Sequence, residues 1–209
     1  MVTIATPMFD GKAEAGYIHG IVGAFKVLEK AGIEYDYLTL SGDSFIDRAR
    51  NRLVKQFLDS GSDDLIFIDA DVQFSPEGVF KLLKHDVDIV GGVYPKKTDV
   101  KQWPCTIRPN VSKGNILGAE MIPAGFMRVR RRVFEALEVE SYEVFGEQIP
   151  EYFTCGRRDG RFKGEDVNFC KLALDNGFDL WVEPDISFSH VGKKSYSGNF
   201  LQECCEITD

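Results

Sequence analysis

The run Leu65-Ile66-Phe67-Ile68 ends in Asp69-Ala70-Asp71, and few folds accommodate such a stretch. Four consecutive apolar residues, two of them β-branched, predict a strand buried on both faces. In an extended backbone residues i and i+2 project to one side, so Asp69 and Asp71 are expected to face together. Two carboxylates at the end of a buried strand repel one another and lose hydration unless a positive group stands between them. A divalent cation answers that need, and hard oxygen ligands suit magnesium or manganese. The bland alternative leaves one Asp capping the next turn and the other solvated.

The chain around this strand alternates. Val2–Ala5 reads as a strand ended by Thr6-Pro7, and Tyr17, Ile21, Phe25 and Leu28 follow at helical spacing, closed by Gly32. A second strand spans 34–40, and a helix carries Ile46, Ala49, Leu53 and Phe57 with Arg48, Arg52 and Lys55 on its opposite face. After the aspartates, Ser75 as N-cap and Pro76 at the first helical position start a helix to about Lys84, and Val87–Gly91 is a short strand. Such alternation predicts a parallel sheet, whose ligands bind outside the carboxyl ends of the strands. Thr6-Pro7, residues 41–43, Asp69–Asp71 and residues 92–97 all fall at those ends.

The second half is less regular. Residues 98–111 read as a polar loop, 116–122 and 126–129 as strands, and 132–137 as a helix. Residues 138–161 show no clear period, a helix covers 166–176, and 180–182 and 186–189 are short strands. With 209 residues and no linker, the expectation is one α/β domain. The last residues are not an obvious stop, which suggests a piece of a longer protein.

A net charge of −8 argues against a general nucleic-acid binder. The arginines at 128, 130, 131 and 132 are expected to form a solvated face, and a second basic group lies at Arg157, Arg158 and Arg161. Five cysteines without a C-x-x-C pair argue against disulfide or zinc frameworks and for a reducing compartment. No stretch has the length of a membrane span and no signal peptide is evident, so a cytoplasmic location is expected.

Other residues could carry chemistry. His190 ends a short strand; beside Asp71 it would complete a cation site and tilt the metal toward manganese. Lys193 and Lys194 follow it as a possible diphosphate clamp, or as a solvated pair. Glu165-Asp166 opens a helix, where acidic residues favour the macrodipole; a carboxylate facing the cleft could also remove a proton from a hydroxyl. The helix N-terminus is expected to lower the pKa of Asp166. Arg48 and Arg52 could read a base or phosphate, or simply pair with surface acids. Lys96 and Lys97 offer cations at a strand end, and Gly125 allows close backbone approach. No G-x-G-x-x-G or P-loop motif is present.

Taken in order, Thr6-Pro7, Arg50-Asn51, I-D-A-D, Y-P-K-K, G-F-M-R-V-R-R, G-E-D and H-V-G resemble the GT-A fold glycosyltransferases over nearly the whole chain. The match is nearest to viral and phage-type members, including the glycosyltransferase domain of a chlorovirus capsid-glycosylating protein. The resemblance implies a mainly parallel, Rossmann-like sheet flanked by helices, with a smaller mixed acceptor-side region. It implies transfer of a sugar from a UDP-sugar to a hydroxyl of a glycan acceptor, on a capsid glycoprotein, with Mn2+ or Mg2+. Residues 1–97 would form the nucleotide-binding half and 98–209 the acceptor and catalytic half, with Asp71 the main metal ligand, Asp69 nearer the ribose or bound to the metal through water, and His190 completing the metal shell. Thr6, Pro7, Met8, Asp43, Arg48, Asp69 and Ala70 would hold the nucleotide, and Lys96, Gly125, Lys193 and Lys194 the diphosphate and sugar. Asp166, beside Glu165, would be the base of an inverting reaction. A nucleotidyltransferase and a non-catalytic sugar-binding module stay open as alternatives.

Overall fold

A computed structural model of the chain describes residues 1–158, 160–192 and 194–204. In chain order the first half holds β1 (Val2–Met8), α1 (Ala15–Lys30), β2 (Tyr35–Ser41), α2 (Ile46–Asp59), β3 (Asp64–Ile68), β4 (Val72–Phe74), α3 (Glu77–Lys84) and β5 (Ile89–Gly91). Then come β6 (Thr106–Lys113), β7 (Ile116–Met121), β8 (Phe126–Arg130), α4 (Arg131–Ala136), β9 (Ser141–Val144), β10 (Glu147–Pro150), β11 (Gly156–Arg158) and β12 (Arg161–Lys163). The chain continues through α5 (Glu165–Asp175), β13 (Leu180–Val182), β14 (Ser187–Val191), β15 (Ser195–Asn199) and α6 (Phe200–Cys204).

Strand β3 is buried on both faces, as its apolar run dictates. Leu65 and Phe67 enter one apolar cluster with Leu53 and Phe57 of α2 and Phe169 of α5. Ile66 and Ile68 enter the other, with Tyr17 and Leu28 of α1 and Val79 and Leu82 of α3. Burying such a side chain contributes roughly 1.5–3 kcal/mol, so these two layers are the main source of stability. The central sheet has the order β2-β1-β3-β8-β5-β13-β7-β6. With β8 and β7 reversed, the other six strands run in one direction. A smaller sheet, β15-β14-β4, stands beside it, and β9–β10 and β11–β12 form two hairpins. Among the described residues no helix is long and apolar enough to cross a membrane.

The structure corrects several expectations. β1 does not end at Ala5 but runs through Pro7, which pairs with Leu40. Its pairing with β3 stops at Ala5, so beyond that point it has one neighbour and a missing N–H is tolerated. The polar stretch 98–111 contains most of edge strand β6. Residues 138–161 hold the first hairpin and most of the second. Ser75 makes no side-chain cap, although Pro76 has helical dihedrals. The arginines of 128–132 are not all a solvated face. Arg128 is buried, donating to Asp64 Oδ1 at 3.2 Å and to the carbonyls of His85 and Val87. Arg131 donates to the carbonyls of Phe57, Leu58, Ser60 and Ser62, supplying the positive group that the last turn of α2 lacks.

Candidate active site

The strand ends converge as expected on one cleft of about 590 Å³, lined among others by Pro7, Asp43, Asp69, Asp71, Lys97 and Gly192. That volume suits a ligand of nucleotide size. The two aspartates are not on extended backbone. Asp69 follows the last residue of β3, and the chain turns at Ala70-Asp71, with the Val72 N–H donating to the Asp69 carbonyl at 3.0 Å. The Ala70 carbonyl accepts from Glu14 N at 2.9 Å, tying the β1–α1 loop to this turn.

The turn sends the two carboxylates to different partners. Asp69 accepts from Arg50 Nη2 at 2.9 Å, and its backbone N–H donates to Gly125 O at 2.9 Å. Burial pushes its pKa up, the Arg50 charge opposes that, and Asp71 adds to the rise. Gly125 is a packing requirement: a Cβ there would lie 2.3 Å from both Asp69 Oδ2 and the Tyr94 hydroxyl. Asp71 faces Lys97 through Oδ2 and His190 Nε2 through Oδ1 at 3.4 Å. Burial acts to raise its pKa, but hydrogen bonds from His190 and Lys97 prevail and bring it to about 2.

His190 reaches Asp71 because β14 pairs antiparallel with β4, setting His190 opposite Val72. Its Nδ1 lies 2.9 Å from the Pro95 carbonyl, which can only accept, so Nδ1 carries a proton, and Nε2 is the nitrogen that faces Asp71. The Tyr94 ring holds the imidazole edge-on, with centroids 4.8 Å apart.

Arg50 connects this turn to the start of α5. Its side chain is 2% exposed; Nη2 serves Asp69 while Nε donates to Glu165 Oε1 at 3.2 Å. Burial disfavours its charge, but Asp69 and Glu165 outweigh that and raise its pKa. Nη1 is buried and finds no hydrogen-bond partner among the described residues. Asp166, next to Glu165, does not line the cleft. Its Oδ1 accepts from Val167 N at 2.7 Å. Contrary to the macrodipole expectation its pKa is raised, chiefly by burial and then by Glu165, against the Val167 N–H.

No protein-family model and no curated protein sequence matches the chain. Solved structures do. A197 from STIV superposes with a TM-score of 0.57 and 17% identity, covering 91% of this chain and 85% of that one. The Drosophila β1,4-galactosyltransferase 7 mutant D211N, solved with manganese, UDP-Gal and xylobiose, gives 0.53 and 14%, covering 91% and 71%. This chain has the GT-A fold. Identities this low establish the GT-A architecture alone. A glycosyltransferase involved in glycosylation of the major capsid of PBCV-1 reaches a TM-score of only 0.37, with 11% identity over 64% of this chain and 62% of that one. The expected likeness to the chlorovirus domain therefore carries no argument.

Within this GT-A frame some expected residues gather and others do not. Pro7, Asp43, Asp69, Ala70 and Asp71 line the cleft, and His190 adjoins it through Asp71. Arg48 is clamped on Asp43, Nε to Oδ2 at 2.9 Å, and Arg52 approaches the same carboxylate at 3.5 Å. Burial works to raise the Asp43 pKa, but Arg48 holds it below the usual range. Thr6 is buried away from the cleft, sharing a hydrogen bond with Tyr17 at 2.5 Å, and Met8 packs beside the apolar cluster under α1. Lys96 is exposed and does not line the cleft; its neighbour Lys97 does. Lys194 pairs with Asp99, and Lys193 lies outside the described residues. Among the described residues no three His, Cys, Asp or Glu side chains form a metal cage, because Asp69 is committed to Arg50. Asp71 and His190 are the donors that fit a divalent cation, a number suited to one that also binds substrate phosphates and water. Sequence reasoning named Lys97 only as a cation at a strand end and passed over Arg50 and Tyr94 as site residues. Arg50 was detectable as a charge on the apolar stripe of α2, between Ile46 and Leu53.

Proposed function

We infer that the chain is a metal-dependent glycosyltransferase moving a sugar from a UDP-sugar to an acceptor hydroxyl, with inversion. The observation that carries this reading is Arg50, whose two ion pairs tie the Asp69–Asp71 turn at the cleft to the start of α5, where Glu165 and Asp166 lie. The fold supports it, since the Drosophila enzyme of the same architecture was solved with manganese, UDP-Gal and xylobiose. The cleft-lining carboxylates Asp10, Glu14, Asp43, Asp69 and Asp71 outnumber Lys12 and Lys97, so a diphosphate entering there benefits from an added cation.

Asp71 and His190 would hold that cation, Asp69 and Arg50 fix the turn, and Asp43 with Pro7 borders the nucleoside side. Held by Asp71 and His190, a divalent cation would supply positive charge against that growing on the leaving diphosphate. As the acceptor oxygen bonds to the anomeric carbon and the bond to the diphosphate breaks, Asp166 takes the hydroxyl proton. Its burial makes it a stronger base than an exposed aspartate.

Calorimetry with UDP tests the reading. Binding in manganese, much weakened by chelation, is the expected result; no binding in manganese would return the chain to the nucleotidyltransferase or sugar-binding alternatives. Asp166→Asn is expected to keep UDP binding and to lose transfer by about 100-fold or more. Because the base must be ionised and burial raises its pKa, transfer by the native protein should begin to fall with acid at a higher pH than an exposed aspartate would give. Retained transfer in the variant, or a flat acid limb, assigns the base elsewhere.

A further inference from the structure

Lys97 lies in the β5–β6 connection, lines the cleft and places its ammonium on Asp71 Oδ2. His190 Nε2 stands 3.4 Å from the other oxygen, so the carboxylate is engaged on both sides. The Lys97 stem runs over Gly192, where a Cβ would meet Lys97 Cδ at 3.1 Å. The other cleft-lining lysine, Lys12, is bonded to Asp10 at 3.2 Å.

A cation arriving at Asp71 and His190 meets this ammonium at the same carboxylate. Two positive groups on one carboxylate repel, so the ammonium must leave or the cation binds weakly. Lys97 is able to leave: its side chain is 34% exposed, and its flexible stem rests on a glycine rather than in a packed slot. Three of the other four cleft-lining carboxylates already have cations, since Asp69 holds Arg50, Asp43 holds Arg48 and Asp10 holds Lys12; Glu14 is the fourth. A phosphate oxygen in the cleft, with three strong acceptors, is an anion that can take the freed ammonium.

The geometry points to Lys97 as the residue that couples cation binding to nucleotide binding, competing for Asp71 in the empty cleft and passing to the diphosphate once one is bound. This rests on the UDP-sugar reading of the cleft and adds a property to it. Cation alone binds weakly because Lys97 must lose its partner; cation with nucleoside diphosphate binds cooperatively because the lysine gains another. The linkage is reciprocal, so manganese strengthens UDP binding by the same factor.

Manganese binding to the whole chain, followed by electron paramagnetic resonance of free Mn2+ with and without UDP, tests this. Lys97→Met keeps the stem and removes the charge. It is expected to bind manganese alone about fivefold more tightly than the native protein, the scale of a half-exposed ion pair. The further gain on adding UDP should be smaller than in the native protein. Gly192→Ala, which pushes the stem aside with the charge retained, should move manganese affinity the same way, and Lys97→Arg should stay near native. Unchanged or weaker manganese binding in Lys97→Met overturns the proposal while leaving the glycosyltransferase reading standing. A native protein that binds no UDP in manganese overturns both.

Discussion

Asp71→Asn is expected to abolish manganese-dependent UDP binding, a loss of more than about 100-fold. The carboxylate it removes is ionised at any working pH, its pKa held at about 2 by His190 and Lys97 against the cost of burial. Asparagine keeps the shape but leaves a lysine and an imidazole facing a neutral amide, with no charge to anchor a cation. Asp69→Asn should be milder, about tenfold, because Asp69 fixes the turn through Arg50 rather than facing the cation. Calorimetry in manganese measures both. If the order is reversed, with Asp69 the more damaging, the division of labour between the two aspartates is wrong.

Arg50→Met is expected to be the most destabilising single change in the site, by about 3–5 kcal/mol. Methionine fills much of the volume yet leaves Asp69 and Glu165 without their shared cation, at side-chain exposures of 24% and 14%. Burial already raises the Asp69 pKa while Arg50 opposes it, so removing Arg50 raises it further. An acid whose folded pKa lies above its unfolded one loses stability as pH rises through that interval. The variant should therefore be closer to native in mild acid than at pH above neutrality. Urea melts at both pH values test this, and adding Glu165→Gln should recover part of the loss. A loss below about 1 kcal/mol would show that Arg50 is a replaceable strut.

What the sequence revealed of this site followed from local rules. The Leu65–Ile68 run had to be a strand with two buried faces, and the ends of its parallel neighbours had to meet beyond it. His190 was recognisable as a ligand type, though its pairing opposite Val72 was not. The misses were non-local. Arg50 shows as a charge on the apolar stripe of α2, but its partners Asp69 and Glu165, 19 and 115 residues away, do not, and Asp166 was assigned a lowered pKa because the macrodipole is visible in sequence and burial is not. The β9–β10 hairpin hid because its tip is Phe145-Gly146, with φ of 50° and 84°. Asparagine or aspartate in the first of those positions would have announced the turn.

The reversed strand β8 has a consequence for how the chain comes into being. It fills the gap between β3 and β5, pairing with both, yet it is made only after β6 and β7. While the polypeptide emerges from the ribosome, β2-β1-β3 can assemble early, but it exposes an unsatisfied edge at β3. The segment Phe126–Arg130 closes that edge, and the glycine backing Asp69 lies just ahead of it at position 125. Sealing the edge of β3 and setting the first aspartate in place thus depend on one segment, residues 125–130.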